Sequence, residues 1–226
     1  MTYVYAIADL HGRLDLLELA LAEIEKREPG VVVFLGDYID RGPNPAGVIN
    51  RLIAGPTESG WKWVCLKGNH EDIMCQARAD KRKIPWWLQN GGGATLLSYG
   101  QREGQKAKPR EYVPLDHIIW IEGLPLWHNE GFRFFVHGGF NHTLPIGEQT
   151  EATLLWKLYR SAHDDFDSGF WGFHVVHGHH QFEDGPKLYA NRTALDCGAY
   201  YTNRLVVGVF DDDEDGGPVE TIEVTT

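Results

Sequence analysis

The sequence has few cysteines, no long hydrophobic run and comparatively little positive charge. Its three cysteines are too few and too scattered for a disulfide framework, and they lack the spacing of a zinc site. No segment approaches the roughly 20 apolar residues that span a membrane, and the first residues do not follow the pattern of a signal peptide. We therefore expect a cytoplasmic protein that does not contact a membrane.

The net charge disfavours some classes of binding partner. Lysine and arginine together number 21 against 32 aspartates and glutamates, so the net charge is −11. Proteins that bind nucleic acids or anionic lipids carry basic surfaces, because they must neutralise phosphates. The acidic balance argues against nucleic acid as a partner and against a nucleic-acid phosphodiesterase.

The residues that are present are typical of an ordered globular protein. Hydrophobic residues make up 42% of the chain, which includes eight tryptophans. We find no internal repeat and no linker, and 226 residues are ample for a sizeable core. These features predict a single domain over residues 1–226.

Short apolar runs alternate with segments of helical periodicity, which predicts an α/β fold. Strands are predicted at 3–8, 31–35, 63–66, 132–136 and 173–176, and helices at 14–24, 45–52, the second half of 67–83, and 148–163. Residues 80–116 are polar and broken by glycine and proline, and we expect a helical insertion there over the main sheets. After Leu188 the pattern predicts strands joined by turns, with the acidic run 211–217 in a hairpin loop.

The run VVVFLGDYIDRGPNP, residues 31–45, places two carboxylates at the end of a hydrophobic strand. Asp37 and Asp40 would repel each other and resist desolvation there unless a cation lay close by. Four other strands also end in residues that bind metals: Asp9 and His11, Asn69 and His70, His137, and His177 and His179. Because sites in α/β folds form outside the carboxyl ends of strands, we expect these five loops to converge on metal ions.

The spacing of these residues suggests how they share the metals. Residues two apart in an extended chain point the same way, so Asp9 and His11 are expected to hold one ion together. Neighbours point apart, so Asn69 can face a metal while His70 faces elsewhere. Oxygen and imidazole ligands without thiolate suit manganese, iron or zinc, and they disfavour calcium.

In this order the motifs DLHG, GDYIDRG, GNHE, HGG and GH resemble those of the metallophosphoesterase (calcineurin-like) superfamily. The DRG and GNHE forms are similar to its serine/threonine protein phosphatase branch, especially the compact bacterial and phage-type members, and to the related symmetrical diadenosine tetraphosphatases. The likeness runs from about Asp9 to about Leu205. It implies a four-layer αββα sandwich, in which helices flank two mixed β-sheets and a dimetal site lies at one end.

The resemblance also implies a role for each matching residue. The first metal would be bound by Asp9, His11 and Asp37, and the second by Asp37, Asn69, His137 and His179. His70 would be the general acid, Asp40 its partner and Arg41 the phosphate clamp. The two metals, with manganese expected, would supply a bridging hydroxide for direct in-line attack on phosphorus while His70 protonates the leaving alkoxide.

The implied activity is that of a serine/threonine protein phosphatase acting on phosphoproteins or small phosphate esters. The alternative is hydrolysis of a dinucleoside tetraphosphate between its inner phosphates. A metal-binding scaffold without turnover is disfavoured, because the acid and every matching ligand are present.

Several assignments stay open on the sequence alone. Relatives bring a second phosphate-clamping arginine from the segment between HGG and GH, where this chain offers Lys157 or Arg160. His142 follows the HGG motif closely enough to reach a substrate. The family pattern selects His179 from the run HGHH, which leaves His177 in a supporting or packing role and His180 unassigned. The following tryptophans are expected in the core rather than on a stacking surface: 86, 87, 120, 127, 156 and 171.

Overall fold

The computed structural model describes residues 3–159 and 172–226. The strands are β1 (Tyr3–Ile7), β2 (Gly30–Phe34), β3 (Lys62–Cys65), β4 (Trp127–Glu130), β5 (Arg133–Val136), β6 (His174–His177), β7 (Lys187–Leu188), β8 (Arg192–Ala194), β9 (Arg204–Asp211) and β10 (Glu220–Thr225). Within the described residues they form two five-stranded sheets, with the orders β10-β9-β1-β2-β3 and β4-β5-β6-β8-β7.

The helices connect or cover these strands. They are α1 (Leu14–Ile24), α2 (Pro45–Ala54), α3 (Asn69–Ala79), α4 (Ile84–Trp87), α5 (Gly93–Ser98), α6 (Pro109–Tyr112), α7 (Leu115–Glu122), α8 (Glu151–Trp156) and α9 (Ala199–Thr202). Short 3₁₀ turns lie at Lys81–Lys83 and Ile146–Glu148, and a π-helical turn lies at Leu88–Gly92. No helix of the described segments is both long and apolar enough to cross a membrane.

Both sheets are mixed. In the first, β1, β2 and β3 are parallel, while β9 runs antiparallel to β1 and to β10. In the second, β5, β6 and β8 are parallel, and β4 and β7 are antiparallel at the two edges. Strand β2 is buried along its whole length, as its unbroken apolar run predicts for a central parallel strand.

The two sheets pack face to face around a shared core. Val33 and Leu66 of the first sheet meet Phe135 and Val176 of the second. The leucines of α1 recur at helical spacing and, with α2, α3 and α7, cover the outer face of the first sheet. Helix α8 packs its Leu154 on the outer face of the second sheet. The expected αββα sandwich is therefore confirmed.

Local geometry differs from the sequence-based expectation at three places. His11 has a φ of 40°, so the extended backbone expected between Asp9 and His11 is wrong. Asn69 and His70 form the first turn of α3 rather than the end of a strand. The helix predicted at 148–163 ends at Trp156, because Lys157 turns to extended backbone.

Two other expectations concern the insertion and the acidic loop. Residues 80–116 form short helical turns, and their status as an insertion stays a prediction. The acidic run does join β9 and β10 as a hairpin, as expected. The buried Arg133 holds this loop by donating hydrogen bonds to the carbonyls of Glu214 and Gly216.

Candidate active site

The loops after five strands meet at one end of the sandwich. The amides of Leu10 and His11 both donate to the carbonyl of Asp37 (3.0 and 2.8 Å), and the amide of Gly178 donates to the carbonyl of His137 (3.0 Å). These bonds join the loop after β1 to the loop after β2, and the loop after β5 to the loop after β6, at the carboxyl ends of the strands. The pocket between the loops has a volume of about 320 Å³ and is lined by Asp9, Asp37, Arg41, Asn69, His70, Leu158, His179, His180 and Gln181.

Asp37 lies at the centre of this cluster and is almost fully buried. Its Oδ2 atom is 3.6 Å from Nε2 of His11, and its Oδ1 atom is 3.4 Å from Nε2 of His137. Two sets of possible ligand atoms each lie within 4.8 Å of one another: His11, Asp37 and His70, and Asp37, His137 and His179. Asp37 belongs to both sets, which is the position of a carboxylate that bridges two ions.

The backbone is strained at several residues of the site. The following have φ angles in the left-handed region: His11, Asp37, Asp40, Arg41 and His179. In the described residues, Asn203 is the one other non-glycine residue with a positive φ. Such conformations cost of order 1–3 kcal/mol each and concentrate at functional sites. These backbone conformations therefore lower the stability of the fold while they orient the side chains toward one site.

Two buried histidines present the same ring nitrogen to Asp37. Nδ1 of His11 donates to the carbonyl of Ile39 (2.8 Å), and Nδ1 of His137 donates to the carbonyl of Leu35 (2.9 Å). Because a carbonyl only accepts, each Nδ1 carries a proton, and a neutral ring then has its lone pair on Nε2. Burial also lowers the pKa of His11, which keeps its ring neutral. Metal-binding histidines are commonly oriented in this way.

The side chain of Asn69 has acceptors on all sides of its oxygen. Oδ1 lies 2.8 Å from Nε2 of His137, 3.1 Å from Nδ1 of His179, and 3.1 and 3.3 Å from the two oxygens of Asp37. If the oxygen and nitrogen of the amide exchanged places, the nitrogen could donate hydrogen bonds to these acceptors. Alternatively, a cation bound between the acceptors would interact favourably with all of them. One amide oxygen, two imidazoles and a carboxylate form a donor set that fits a divalent metal ion.

The acidic residues of the cluster explain why a cation is needed. Burial raises the pKa of Asp37 well above its usual range; the nearby His70 lowers it, and the charges of Asp9 and Glu71 raise it further. An ionised carboxylate is costly in such surroundings unless positive charge lies close to it. A metal ion bound beside Asp37, one of the two carboxylates that follow β2, would offset the cost of burying it.

Asp9 borders the cluster and packs closely against Gly178 and His179. Its Oδ1 atom accepts a hydrogen bond from the amide of His179 (2.9 Å), and a Cβ at Gly178 would lie 2.2 Å from the same oxygen. The buried carboxyl of Asp196 adjoins Asp9, and burial together with the charge of Asp9 raises the pKa of Asp196 well above its usual range. A second buried carboxyl therefore lies beside Asp9.

His70 and Asp40 form a buried pair beside Asp37. Nδ1 of His70 donates to Oδ2 of Asp40 (2.8 Å), which leaves Nε2 of His70 3.9 Å from Oδ2 of Asp37. The Asp40 carboxylate also accepts hydrogen bonds from Oγ1 of Thr95 (2.6 Å) and from the indole of Trp87 (3.1 Å to each oxygen). Two further donors thus hold a fully buried carboxylate in place beside His70.

Arg41 completes the rim of the pocket. Its guanidinium donates to Nε2 of His11 (2.8 Å) and lies 5.0 Å from the ring centre of Tyr200. The amide of Arg41 donates to the carbonyl of Gly91 (3.2 Å), where a Cβ would lie 2.8 Å from Cγ of Arg41. Gly91 has a φ of 101°, so glycine is required there on both counts.

A comparison with protein families agrees with this geometry. The profile of the family described as calcineurin-like phosphoesterase matches residues 2–208, which is nearly the whole chain. The chain belongs to this family. As a calcineurin-like phosphoesterase it is a metal-dependent phosphatase, and the two groups of side chains that share Asp37 are candidate metal-binding residues.

Two relatives of this phosphoesterase carry phosphatase names. The chain is 26% identical over 212 residues to serine/threonine-protein phosphatase 2 of Escherichia coli (strain K12), covering 90% of both chains. It is 33% identical over 156 residues to serine/threonine-protein phosphatase 1 of Salmonella typhimurium (strain LT2), covering 69% of this chain and 63% of that protein.

Solved structures agree with the fold of the phosphoesterase. A candidate diadenosine tetraphosphatase superposes with a TM-score of 0.68 at 19% identity, covering 99% of this chain and 93% of that chain. A protein serine/threonine phosphatase from Saccharomyces cerevisiae superposes with a TM-score of 0.62 at 15% identity, covering 99% and 79%. At these identities the likeness shows the shared fold alone.

The three histidines of the HGHH run have different surroundings in the phosphoesterase. Nδ1 of His177 donates to the carbonyl of Gly178 (3.0 Å), and its Nε2 faces the guanidinium of Arg192 (3.3 Å), so this ring lies outside the cluster. His179 lies inside it, 5.0 Å from the ring of His137, and burial lowers its pKa to about 3. His180 lines the pocket, with its ring against Phe182.

Of the residues that the structure describes, the candidates for a second phosphate clamp and for substrate contact do not lie in the cluster around Asp37. Lys157 lies over the ring of Tyr159 and lines a separate opening with Trp156 and Asn141, whereas Arg160 lies outside the described residues. The choice of a second phosphate clamp therefore stays open. His142 is half-buried in the loop after the HGG motif, and its role also stays a prediction.

The tryptophans do not all lie in the core. Trp87 is fully buried, but Trp86, Trp127 and Trp156 are exposed, so the core expectation is wrong for these three. Trp120 is half-buried, and Trp171 lies outside the described residues. Trp86 and Trp156 stack on each other at 6.0 Å, and Trp156 lies 6.1 Å from the ring of His179. An aromatic pair therefore stands at the edge of the site.

Sequence reasoning gave no role to several residues that support this site. Glu71 is buried and accepts the amides of Asp37, Tyr38 and Gly68, each at 2.9 Å, which joins the loop after β2 to the first turn of α3. Its position as the last residue of GNHE was a usable signal. Thr95, Trp87 and Asp196 contact site carboxylates across the fold. They carry no such signal, because a single threonine or tryptophan has many possible roles.

Proposed function

We propose that this calcineurin-like phosphoesterase is a serine/threonine protein phosphatase that binds two divalent metal ions. The observation that carries the proposal is Asp37, shared by two sets of ligand atoms, with the His70–Asp40 pair directly beside it. The names of the two bacterial relatives support the choice of substrate class.

The donor atoms suggest which residues would hold each ion. We assign Asp9, His11 and Asp37 to the first, and Asp37, Asn69, His137 and His179 to the second. When bound, such ions acidify water and neutralise the charge that develops on a phosphoryl group. Manganese is the metal that we propose; iron and zinc suit the same oxygen and imidazole ligands.

His70 would donate the proton that the leaving group needs. Its Nδ1 is held by Asp40, so Nε2 is the atom that can face the leaving oxygen. General acids of this kind contribute about a hundred- to ten-thousand-fold in rate. Arg41 has a planar guanidinium at the pocket, which matches two phosphate oxygens.

A second candidate is hydrolysis of a dinucleoside tetraphosphate between its inner phosphates. The observation that favours it is the exposed stack of Trp86 and Trp156 next to His179, because an adenine ring could stack on such a surface. The name of the structural relative points the same way. We prefer the phosphoprotein, since both bacterial relatives found by sequence are named as protein phosphatases.

Removing the metals should reduce turnover to background. A chelated and dialysed preparation is assayed on a phosphoserine peptide and on diadenosine tetraphosphate, before and after adding manganese, zinc or iron, with metal content measured on the same samples. We expect manganese to restore most activity, because oxygen and imidazole ligands at an open pocket exchange such ions. The phosphopeptide should show the higher kcat/KM.

Two outcomes would contradict this proposal. Full activity in protein shown to be free of metal would remove the dimetal site from the mechanism. Turnover of the dinucleotide with little on the phosphopeptide would replace the first candidate by the second.

His179→Ala should lower metal content to about one ion per chain and reduce turnover strongly. The matched variant His177→Ala removes a neighbouring imidazole that bonds Arg192 rather than the cluster, so its metal content should stay near that of the wild type. Both variants are compared by metal analysis, activity and thermal unfolding. If His177→Ala lost metal and His179→Ala kept it, our assignment within HGHH would be reversed.

A further inference from the structure

A groove of about 700 Å³ lies on the segment between α3 and α7, outside the candidate active site. It is lined by Ala77, Arg78, Lys81, Ile84, Pro85, Leu88, Glu111 and residues 105–110. The guanidinium of Arg110 shapes it by donating to the last carbonyls of α3, those of Arg78 (2.6 Å) and Ala79 (3.2 Å). This bond ties the 105–111 loop to the end of the helix.

The groove is basic in an acidic protein. Residues 78–111 contain eight lysines and arginines against three acidic residues, a net charge of +5, while the whole chain has a net charge of −11. Five of these cations line the groove: Arg78, Lys81, Lys106, Lys108 and Arg110. Lys108 is paired with Glu111, but Lys81 and Lys106 form no ion pair within the described residues. The groove therefore has positive charge that the fold does not neutralise.

Arg78 is the most informative of these residues. Its Nε atom is buried, and in the residues that the structure describes this atom has no hydrogen-bond partner. A buried donor without a partner costs about 1–3 kcal/mol, and more when it is charged. Buried donors usually have a partner, which can be a protein group, an ordered water or a ligand. An anionic group beside Arg78 would be such a partner.

The floor of the groove is apolar, and one helix connects it with the active site. Ile84 and Pro85 of α4 and the following Leu88 line the groove, whereas Trp87 of the same helix donates to Asp40. A helix is about 10–12 Å across. A polypeptide that crosses α4 from the active site needs roughly four extended residues for that width, and roughly four to eight allow for its path over the surface.

We propose that this groove is a docking site for an acidic segment of the protein substrate, placed several residues from its phosphoserine or phosphothreonine. Carboxylates of the segment would bond Arg78 and lie near Lys81 and Lys106, while its apolar side chains cover Ile84 and Leu88. The inference rests on the proposed protein phosphatase activity and adds the class of substrate sequence that the enzyme prefers.

The groove fits an acidic peptide better than a nucleic acid. A nucleic acid needs a long basic track, and the charge of −11 over the whole chain would repel its backbone beyond the groove. A peptide presents only a few charges, and its aliphatic side chains match the apolar floor.

The test uses the metal-loaded full chain and two phosphoserine peptides, one with a run of aspartates about four to eight residues from the phosphoserine and one with asparagines in their place. Wild-type enzyme should show a KM about tenfold lower for the acidic peptide, with equal kcat. The double variant Arg78→Gln/Lys106→Gln should lose this preference. Lys26→Gln/Arg102→Gln removes the same charge from exposed positions outside the groove, and it should keep the preference.

A binding measurement separates this inference from the proposed function. Fluorescence anisotropy with a labelled acidic peptide that carries no phosphate reports on the groove whether or not the chain turns over phosphopeptides. Binding that weakens about tenfold in Arg78→Gln/Lys106→Gln and falls with added salt supports docking. If phosphopeptides are not hydrolysed but this binding persists, the substrate class is wrong and the groove still binds acidic peptide.

Three results would overturn the docking site. These are equal KM values of the wild type for the two phosphopeptides, equal losses in the groove variant and in Lys26→Gln/Arg102→Gln, or tighter binding of a single-stranded oligonucleotide than of the acidic peptide. Thermal unfolding of each variant shows whether a loss reflects folding rather than binding.

Discussion

Asp37→Ala should abolish turnover and lower metal content below one ion per chain. One carboxylate belongs to both sets of ligand atoms, so its removal takes a ligand from each ion and leaves Asp9 as the one anionic side chain among the assigned ligands. This effect should exceed that of any other ligand substitution, because each of the others contributes to a single set. Metal analysis and turnover of a phosphoserine peptide, measured on one preparation, check it.

Controls for this prediction follow from the local structure. Asp72→Ala removes a carboxylate of the same helix as Asn69 that bonds Gln76 instead of the cluster, and it should retain metal and activity. Asp37→Asn keeps a residue that tolerates the left-handed φ of 54°. Near-normal metal content in Asp37→Ala would remove Asp37 from the bridging position.

The pKa of Asp37 adds a check on folding. Because its folded-state pKa is raised, the ionised carboxylate destabilises the metal-free fold at neutral pH, and that cost disappears as the pH falls through the folded-state pKa. Metal-free Asp37→Asn should therefore unfold at no lower a temperature than metal-free wild type at neutral pH. With metal added, the order should reverse, because only the wild type gains from binding two ions.

His70→Asn should cost about a hundredfold or more in turnover of phosphoserine, and far less in turnover of an activated aryl phosphate. An alkoxide needs a proton in order to leave, whereas an aryl oxide leaves readily without one. Metal content should stay near that of the wild type, because Asp40 occupies Nδ1 of His70 and the neighbouring Asn69 faces the ligand atoms. Turnover of both substrates and metal content are measured together.

Three patterns are possible, and they assign different roles to His70. The leaving-group dependence described above identifies a general acid. Large and equal losses with lost metal would make it a ligand, as its place in the set with His11 and Asp37 also permits. Small effects on both substrates would leave it an ordinary buried histidine. His128→Asn is the matched control, since His128 bonds Glu130 away from the site.

The fold was largely predictable from local patterns. A continuous apolar run predicted β2 because central parallel strands are buried on both faces, and the leucines of α1 predicted a helix with one apolar face. The backbone between Asp9 and His11 was not predictable in this way. Its left-handed turn is stabilised by hydrogen bonds from Leu10 and His11 to Asp37, which is distant in sequence.

The contacts that support His70, the proposed general acid, could not be predicted from the sequence either. Trp87 was expected in the core and is buried, but its indole donates to Asp40, and Thr95 donates to the same carboxylate. Both residues lie about fifty positions from Asp40 along the chain. A pattern read over neighbouring residues contains no information about a contact at that distance.

The sequence by itself determined the family, the order of the motifs and the residue types that can bind metal, because these depend on the identity of residues at short spacing. The resemblance implied a shared Asp37 and selected His179, but tertiary structure alone decided that the two ligand sets meet at Asp37, that His177 faces Arg192, and that Trp86 stacks on Trp156 at the edge of the site. Each of these depends on the packing of two sheets and of segments far apart in the chain. Distances between such segments are set by the whole core rather than by any local stretch.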